Sequence, residues 1–181
     1  AGAIAADLDK VLFERLQNAA IWSRLEVMQD LQVQDVDRRL SAFLARLQEG
    51  YGGVYRDLSA LDTAGRIVAS SRPAALGQVI KHDRSDRKVS LSGTPLALSL
   101  PAPGAVGPAA SLSISAPVLS RFDDAPLGEL RLEFDWQQVD AMLDRAAGDG
   151  RTLAIIDGGG RLIAASRRLR EGLSADSGAA S

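Results

Sequence analysis

The chain has no cysteine and a single histidine among its 181 residues. Disulfides, thiolate metal sites and cysteine nucleophiles are therefore excluded, and a catalytic triad would have to run through His82. Aromatic residues make up only 4% of the sequence. No proline precedes Pro73, and no glycine lies between positions 3 and 49. No stretch of 18 apolar residues occurs, so nothing reads as a transmembrane span. The opening residues AGAIAADLDKVLF carry acidic groups and no basic n-region, which is unlike a signal peptide. A net charge of −2 leaves no basic footprint for nucleic acid. The start at Ala and the end at GAAS suggest a piece of a longer protein.

What the chain does have is a repeated sentence. Residues 58–77 read LSALDTAGRIVASSRPAALG, and 95 positions later residues 153–172 read LAIIDGGGRLIAASRRLREG. Eight of twenty positions are identical: Leu58/Leu153, Asp62/Asp157, Gly65/Gly160, Arg66/Arg161, Ala69/Ala164, Ser71/Ser166, Arg72/Arg167 and Gly77/Gly172. Each copy is an apolar strand, an Asp-x-x-Gly turn and a second short apolar strand, the pattern of a β-hairpin. A helical segment precedes both copies, so the likeness is modular.

The proline- and glycine-free stretch carries apolar residues at helical spacing through Ile4, Leu8, Val11, Leu12, Leu16, Ala19, Ala20 and Leu25. It predicts a helix from about Ile4 to Asp30. Asp35 is placed to cap a second helix with the stripe Val36, Leu40, Phe43, Leu44 and Leu47, ended by Gly50, Gly52 and Gly53. Run together, the two would reach roughly 60 Å at 1.5 Å per residue. After Gly53 the period falls to 2. Val54–Leu61 and Arg66–Ser70 form the first hairpin. Strands then follow around Leu96–Leu100, Leu112–Val118 and Leu130–Phe134, each alternating apolar with small or charged residues as half-buried antiparallel strands do. The Pro101–Pro108 stretch reads as a connection. Asp135 and Gln138 suggest a capping box for a helix over Trp136–Ala146. The expected architecture is α+β: a long N-terminal helix packed on a five-stranded antiparallel sheet, followed by a helix and a second hairpin.

Catalytic chemistry finds little support. No serine sits in a nucleophile elbow. Gly158-Gly159-Gly160 opens into a strand, not a helix, so it reads as a turn and not a phosphate loop. Asp123 and Asp124 have no metal-ligand spacing around them and read as a solvated turn. The densest polar cluster is Lys81 to Lys88. It is either a solvated loop or an anion clamp, in which Arg84, Arg87 or Lys88 holds a carboxylate and Asp83 or Asp86 receives an amine or hydroxyl. Ser113, Ser115 and Arg131 on the polar sheet face would floor such a pocket.

Several segments together resemble the bacterial Cache sensor domain, a PAS-like periplasmic family. They are the long N-terminal helix, the Leu61–Ser71 hairpin with Gly77, Ile114-Ser115-Ala116-Pro117-Val118, Leu127-Gly128-Glu129-Leu130, and the second hairpin from Asp157 to Ser166. The resemblance implies a non-catalytic, cofactor-free extracytoplasmic sensor of an inner-membrane signalling receptor, most often a histidine kinase and otherwise a diguanylate cyclase or chemoreceptor. It implies flanking transmembrane helices outside this chain, a homodimer formed through the N-terminal helix, and a small-molecule ligand. The double form of the family suggests a signalling helix at 1–35, a sensor module at 36–135 and the start of a second, truncated or vestigial module at 136–181. The amino-acid-binding subgroup uses Trp and Tyr before the third strand. Residues 77–95 hold no aromatic, which points to a small carboxylate or to a protein partner with no small-molecule pocket.

Overall fold

A computed structural model of the chain describes residues 2–81, 86–101, 110–148, 150–156, 159–160 and 162–178. The chain divides into two compact units, one of residues 12–99 and 112–135, the other of residues 1–11, 100–111 and 136–181.

Helix α1 runs Gly2–Trp22 and stops short of the predicted Asp30. Beyond it, Glu26–Val33 winds as a 3₁₀ helix. Leu25, Met28 and Leu31 recur every three residues, which matches the three-residue turn of a 3₁₀ helix better than 3.6. Met28 and Leu31 are buried. Helix α2 spans Arg39–Gly50. Its entry is fixed by Asp35, whose carboxylate accepts hydrogen bonds from the backbone N–H of Leu40 (2.8 Å) and Ser41 (3.1 Å) and from the Ser41 hydroxyl (2.6 Å). The sequence put the cap at Asp35; the cap position is instead Arg38, with φ of 57° and no side-chain cap bond, and Asp35 reaches the first turn from three residues before it.

Among the described residues, six strands form one antiparallel-paired sheet: β1 (Tyr55–Asp62), β2 (Ile67–Ser70), β3 (Arg87–Leu91), β4 (Thr94–Ser99), β5 (Ser111–Leu119) and β6 (Pro126–Asp135), in the order β2-β1-β6-β5-β4-β3. The expected count was five. The added strand is β3, at the edge, where its charged and exposed residues defend an open rim. Ser92 and Gly93, with φ of 49° and 76°, join β3 to β4 in the left-handed conformation of a tight hairpin turn. One sheet face is apolar: Leu58, Ala60, Ile114, Leu130, Leu132 and Phe134 are fully or almost fully buried. The α2 helix lies against β1 and β2, and the 3₁₀ stretch against β1 and β6.

The second unit holds α3 (Gln137–Ala147), a hairpin of β7 (Ala154–Ile156) and β8 (Leu162–Ala165), and α4 (Arg167–Gly178). The cap position of α3 is Trp136, with no side-chain cap bond. The sequence put a capping box at Asp135 and Gln138; the Asp135 carboxylate pairs with Arg56 at 2.7 Å.

The repeat is a repeat in structure. The first hairpin pairs Ala60 with Ala69 and Leu61 with Ile67, slipping by a bulge between Ala60 and Leu61. The second pairs Ile155 with Ala164 and Ile156 with Leu162, with the bulge at the equivalent step. Gly65 and Gly160 turn with φ of 78° and 80°. Among the described residues no helix is long and apolar enough to cross a membrane.

Candidate functional site

The face of the six-stranded sheet opposite the core is polar where the strands are central. The pairing puts Asp57 opposite Glu133 and Ser59 opposite Arg131, and Ser59 is in turn opposite Ser70. Residues in register share a face, so these side chains form one polar field across β2, β1 and β6. From β5, Ser113 and Ser115 join it. Arg131 Nη2 donates to Ser113 Oγ at 2.7 Å, and Ser115 Oγ lies 3.5 Å from Glu129 Oε1. Among the described residues, Arg131 makes no other side-chain hydrogen bond and no ion pair.

Asp57 is the buried charge of this face, with 4% of its surface exposed. Its carboxylate accepts hydrogen bonds from the hydroxyls of Ser59 (2.6 Å), Ser70 (2.8 Å) and Ser71 (2.9 Å), with Arg72 Nη2 at 3.7 Å. Three hydroxyls and a guanidinium replace the water that the charge loses. The segment after β2 then folds over the face. A short 3₁₀ turn, Pro73–Ala75, leads to Leu76 and Ile80, which pack with Leu61, Ile67 and Ala75. Beneath this cover lies a cavity of about 60 Å³, walled by Asp57, Ser59, Arg72, Gln78, Arg131 and Glu133 on its polar side. That is room for about two waters at roughly 30 Å³ each.

Of the candidates named from sequence, Ser113 and Arg131 are in direct contact and Ser115 stands on the same face. Lys88 pairs with Ala97, which pairs with Ser115, so Lys88 shares the polar face from the exposed edge strand. Arg87 pairs with Leu98, itself opposite Ile114, and so belongs to the other face. Both open β3 and are not part of a loop. Asp83 and Arg84 lie outside the described residues. The sequence reading missed Asp57, Arg72 and Glu133. The signal available was a lone acid inside the apolar strand Tyr55–Leu61, with serines at 59, 70 and 71.

Behind the field, Tyr55 and Phe134 are paired across β1 and β6 on the buried side. The Arg15 guanidinium of α1 lies over both rings, at 5.6 and 5.9 Å from their centres, and is mostly buried. Asn18 Nδ2 donates to Tyr55 Oη at 2.8 Å. Trp22, Tyr51 and Tyr55 meet edge to face, with ring centres 5.2 to 5.7 Å apart. Burial raises the Tyr55 phenol above its ordinary pKa, a shift only partly offset by Asn18 and Arg15.

No family model matches the chain, and no curated protein sequence matches it. Solved structures do. The sensor domain of the Vibrio cholerae histidine kinase DctB superposes with a TM-score of 0.69 at 12% identity, over 93% of this chain and 64% of that one. The ligand-binding domain of the Campylobacter jejuni chemoreceptor Tlp3, in complex with 4-methylisoleucine, gives 0.58 at 11% identity, over 92% of this chain and 66% of that one. The Escherichia coli DcuS sensor domain gives 0.53 at 10% identity, over 71% and 92%. The chain therefore spans just under two thirds of the length of the DctB and Tlp3 domains. It has the fold of these sensor domains, the PAS-like arrangement expected from its sequence.

Proposed function

We propose that this chain is the extracytoplasmic sensor region of a membrane-anchored signalling receptor, most often a histidine kinase, and that it takes a small anionic ligand on the polar face of its sheet. The fold is that of sensor and ligand-binding domains. The single observation that carries the ligand chemistry is Arg131: a half-buried guanidinium with one hydroxyl partner and no carboxylate among the described residues, facing a covered cavity. A fork of N–H donors left in this state is suited to a carboxylate. Glu133, on the same wall, accepts a hydroxyl or amine carried beside that carboxylate. Arg84 and Asp83, which follow the cover in sequence and lie outside the described residues, stay in the proposal as the clamp partners expected from the sequence.

The route to an output runs through the two strands that bear the site. Arg131 sits three residues before Phe134, which with Tyr55 cradles Arg15 of α1. A ligand that pulls β6 at Arg131 biases the seat of α1, and α1 is the element that pairs two copies and carries the signal. Residues 136–181, which repeat the opening helix and hairpin, are the start of a second module of the same kind.

A second reading is favoured by one measurement. A volume near 60 Å³ is well under the roughly 300 Å³ at which small-molecule sites begin, and Ile67, Ala75 and Ile80 fill much of the face. A receptor that senses a protein partner would look like this. Calorimetric titration with acetate, glycolate and malonate separates the two, with Arg131→Ala and Arg84→Ala as controls. Binding lost in both variants supports the clamp. No heat with any acid, or equal heat in wild type and Arg131→Ala, removes it and leaves the protein-partner reading.

A further inference from the structure

The second unit carries a charged cleft that the sensor reading does not use. It measures about 580 Å³ and lies between the end of α3, the approach to β7 and the start of α4. Its walls hold Arg145, Arg151, Arg167 and Arg168 against only two acids, Asp144 and Glu171. One of those acids is already committed. Asp144 accepts the backbone N–H of Arg167 at the head of α4, and its other oxygen lies 3.2 Å from Arg170 Nη2 and 3.9 Å from Arg167 Nη2. Arg170 also reaches Asp140 at 3.4 Å. These contacts tie α4 to α3 and engage both oxygens of Asp144.

The remaining guanidiniums are different. The side chains of Arg145, Arg151 and Arg168 make no hydrogen bond or ion pair among the described residues. All three are exposed. Three unengaged cations face one unengaged acid, Glu171, in a cleft of a size typical for small-molecule sites. Like charges gathered on one concave wall repel each other and are relieved by a multiply charged anion. Planar guanidinium forks favour oxyanions that accept in pairs.

We propose that this cleft is a second binding site, for a phosphate-class oxyanion, separate from the polar sheet face. The shared chemistry is a phosphate group with at least two charges or two faces open to arginine. Its source is either a free phosphate compound or the phosphate of a lipid headgroup. The site does not depend on the ligand proposed for Arg131.

The test uses the full chain. Pyrophosphate is titrated calorimetrically, and retention on vesicles of phosphatidylglycerol with phosphatidylcholine is measured in parallel. The double variant Arg151→Ala/Arg168→Ala removes two forks. Arg168→Lys keeps the charge and loses the fork. Arg46→Ala, an exposed arginine of the other unit, removes charge elsewhere. The expected result is binding weakened at least tenfold in the double variant and several-fold in Arg168→Lys, and unchanged within twofold in Arg46→Ala. Loss confined to the vesicle arm assigns the phosphate to lipid, and loss in the calorimetric arm to a free compound. Absence of wild-type binding in both arms, or equal weakening by Arg46→Ala, overturns the site. The sheet-face reading is tested separately by the carboxylate titration of Arg131→Ala, so failure here leaves that reading to stand or fall on its own.

Discussion

Ser71 and Leu58 hold each other by two hydrogen bonds: Leu58 N–H donates to Ser71 Oγ at 2.9 Å, and Ser71 N–H donates to the Leu58 carbonyl at 2.9 Å. Ninety-five residues on, Leu153 and Ser166 make the same two bonds, at 3.0 and 2.8 Å. The serine hydroxyl thus stands in for a ladder partner at the open end of each hairpin. Ser71 Oγ, in addition, donates to Asp57. Replacing Ser71 by Ala therefore strands a backbone donor and removes one of Asp57's partners, at about 2 kcal/mol, whereas Ser166→Ala loses the single bond at about 1 kcal/mol. Urea unfolding of the two variants, followed by far-ultraviolet dichroism, checks the ranking. Equal losses would contradict the added role of Ser71.

Asp57 is the centre of a buried network, so its substitutions should fall in a set order. Asp57→Ala leaves three hydroxyls and Arg72 without their acceptor and costs about 3 kcal/mol. Asp57→Asn keeps the shape and one acceptor oxygen, and the serine hydroxyls rotate to meet its NH₂, so it costs less. A denaturant series in which Asn proves as damaging as Ala would show that the charge itself, and not the acceptor geometry, holds the network.

Gly128 admits no side chain. Its φ is 147°, and a Cβ there would sit 1.9 Å from the Leu61 carbonyl oxygen across the β1–β6 ladder. Gly128→Ala has to push the two central strands apart, at about 3 kcal/mol or more. Gly65→Ala meets the Ile80 carbonyl at 2.6 Å and loses a φ of 78°, which should lift the cover segment off the polar face. Proteolysis within residues 71–81 should accelerate in Gly65→Ala and not in wild type.

Tyr55 gives the fold an alkaline limit. Burial favours the neutral phenol, so the folded pKa lies above that of the unfolded chain, which is near 10. The stabilisation is complete below the unfolded value and is lost as pH rises through the folded one. Tyr55→Phe forfeits the bond from Asn18, about 1 kcal/mol near neutrality, but should show a flatter decline as pH rises above the ordinary phenol range. Parallel slopes for the two proteins would place the alkaline transition elsewhere.

What was legible in the sequence was whatever repeated or alternated. The hairpins and the sheet strands from Leu96 onward carry their own periodicity. The end of α1 was not legible, because Leu25, Met28 and Leu31 continue the apolar stripe while the backbone changes helix type. Strand β3 was hidden by Arg87 and Lys88, whose charges suit an edge yet look like a loop. The Ser92-Gly93 turn was its available marker. For the site, Ser113 and Arg131 followed from alternation on known strands. Asp57 and Arg72 did not, since their meeting depends on the segment after β2 folding back across the face, which no local pattern records.

The central claim, that Arg131 anchors a small anion and passes its effect to α1, is tested most directly by backbone amide NMR during a titration with acetate. The account predicts shifts centred on Ser59, Ser113 and Arg131, with a second set at Tyr55 and Asn18, and both sets absent in Arg131→Ala. Shifts that persist in Arg131→Ala, or a wild-type spectrum unmoved at those five residues, would contradict it.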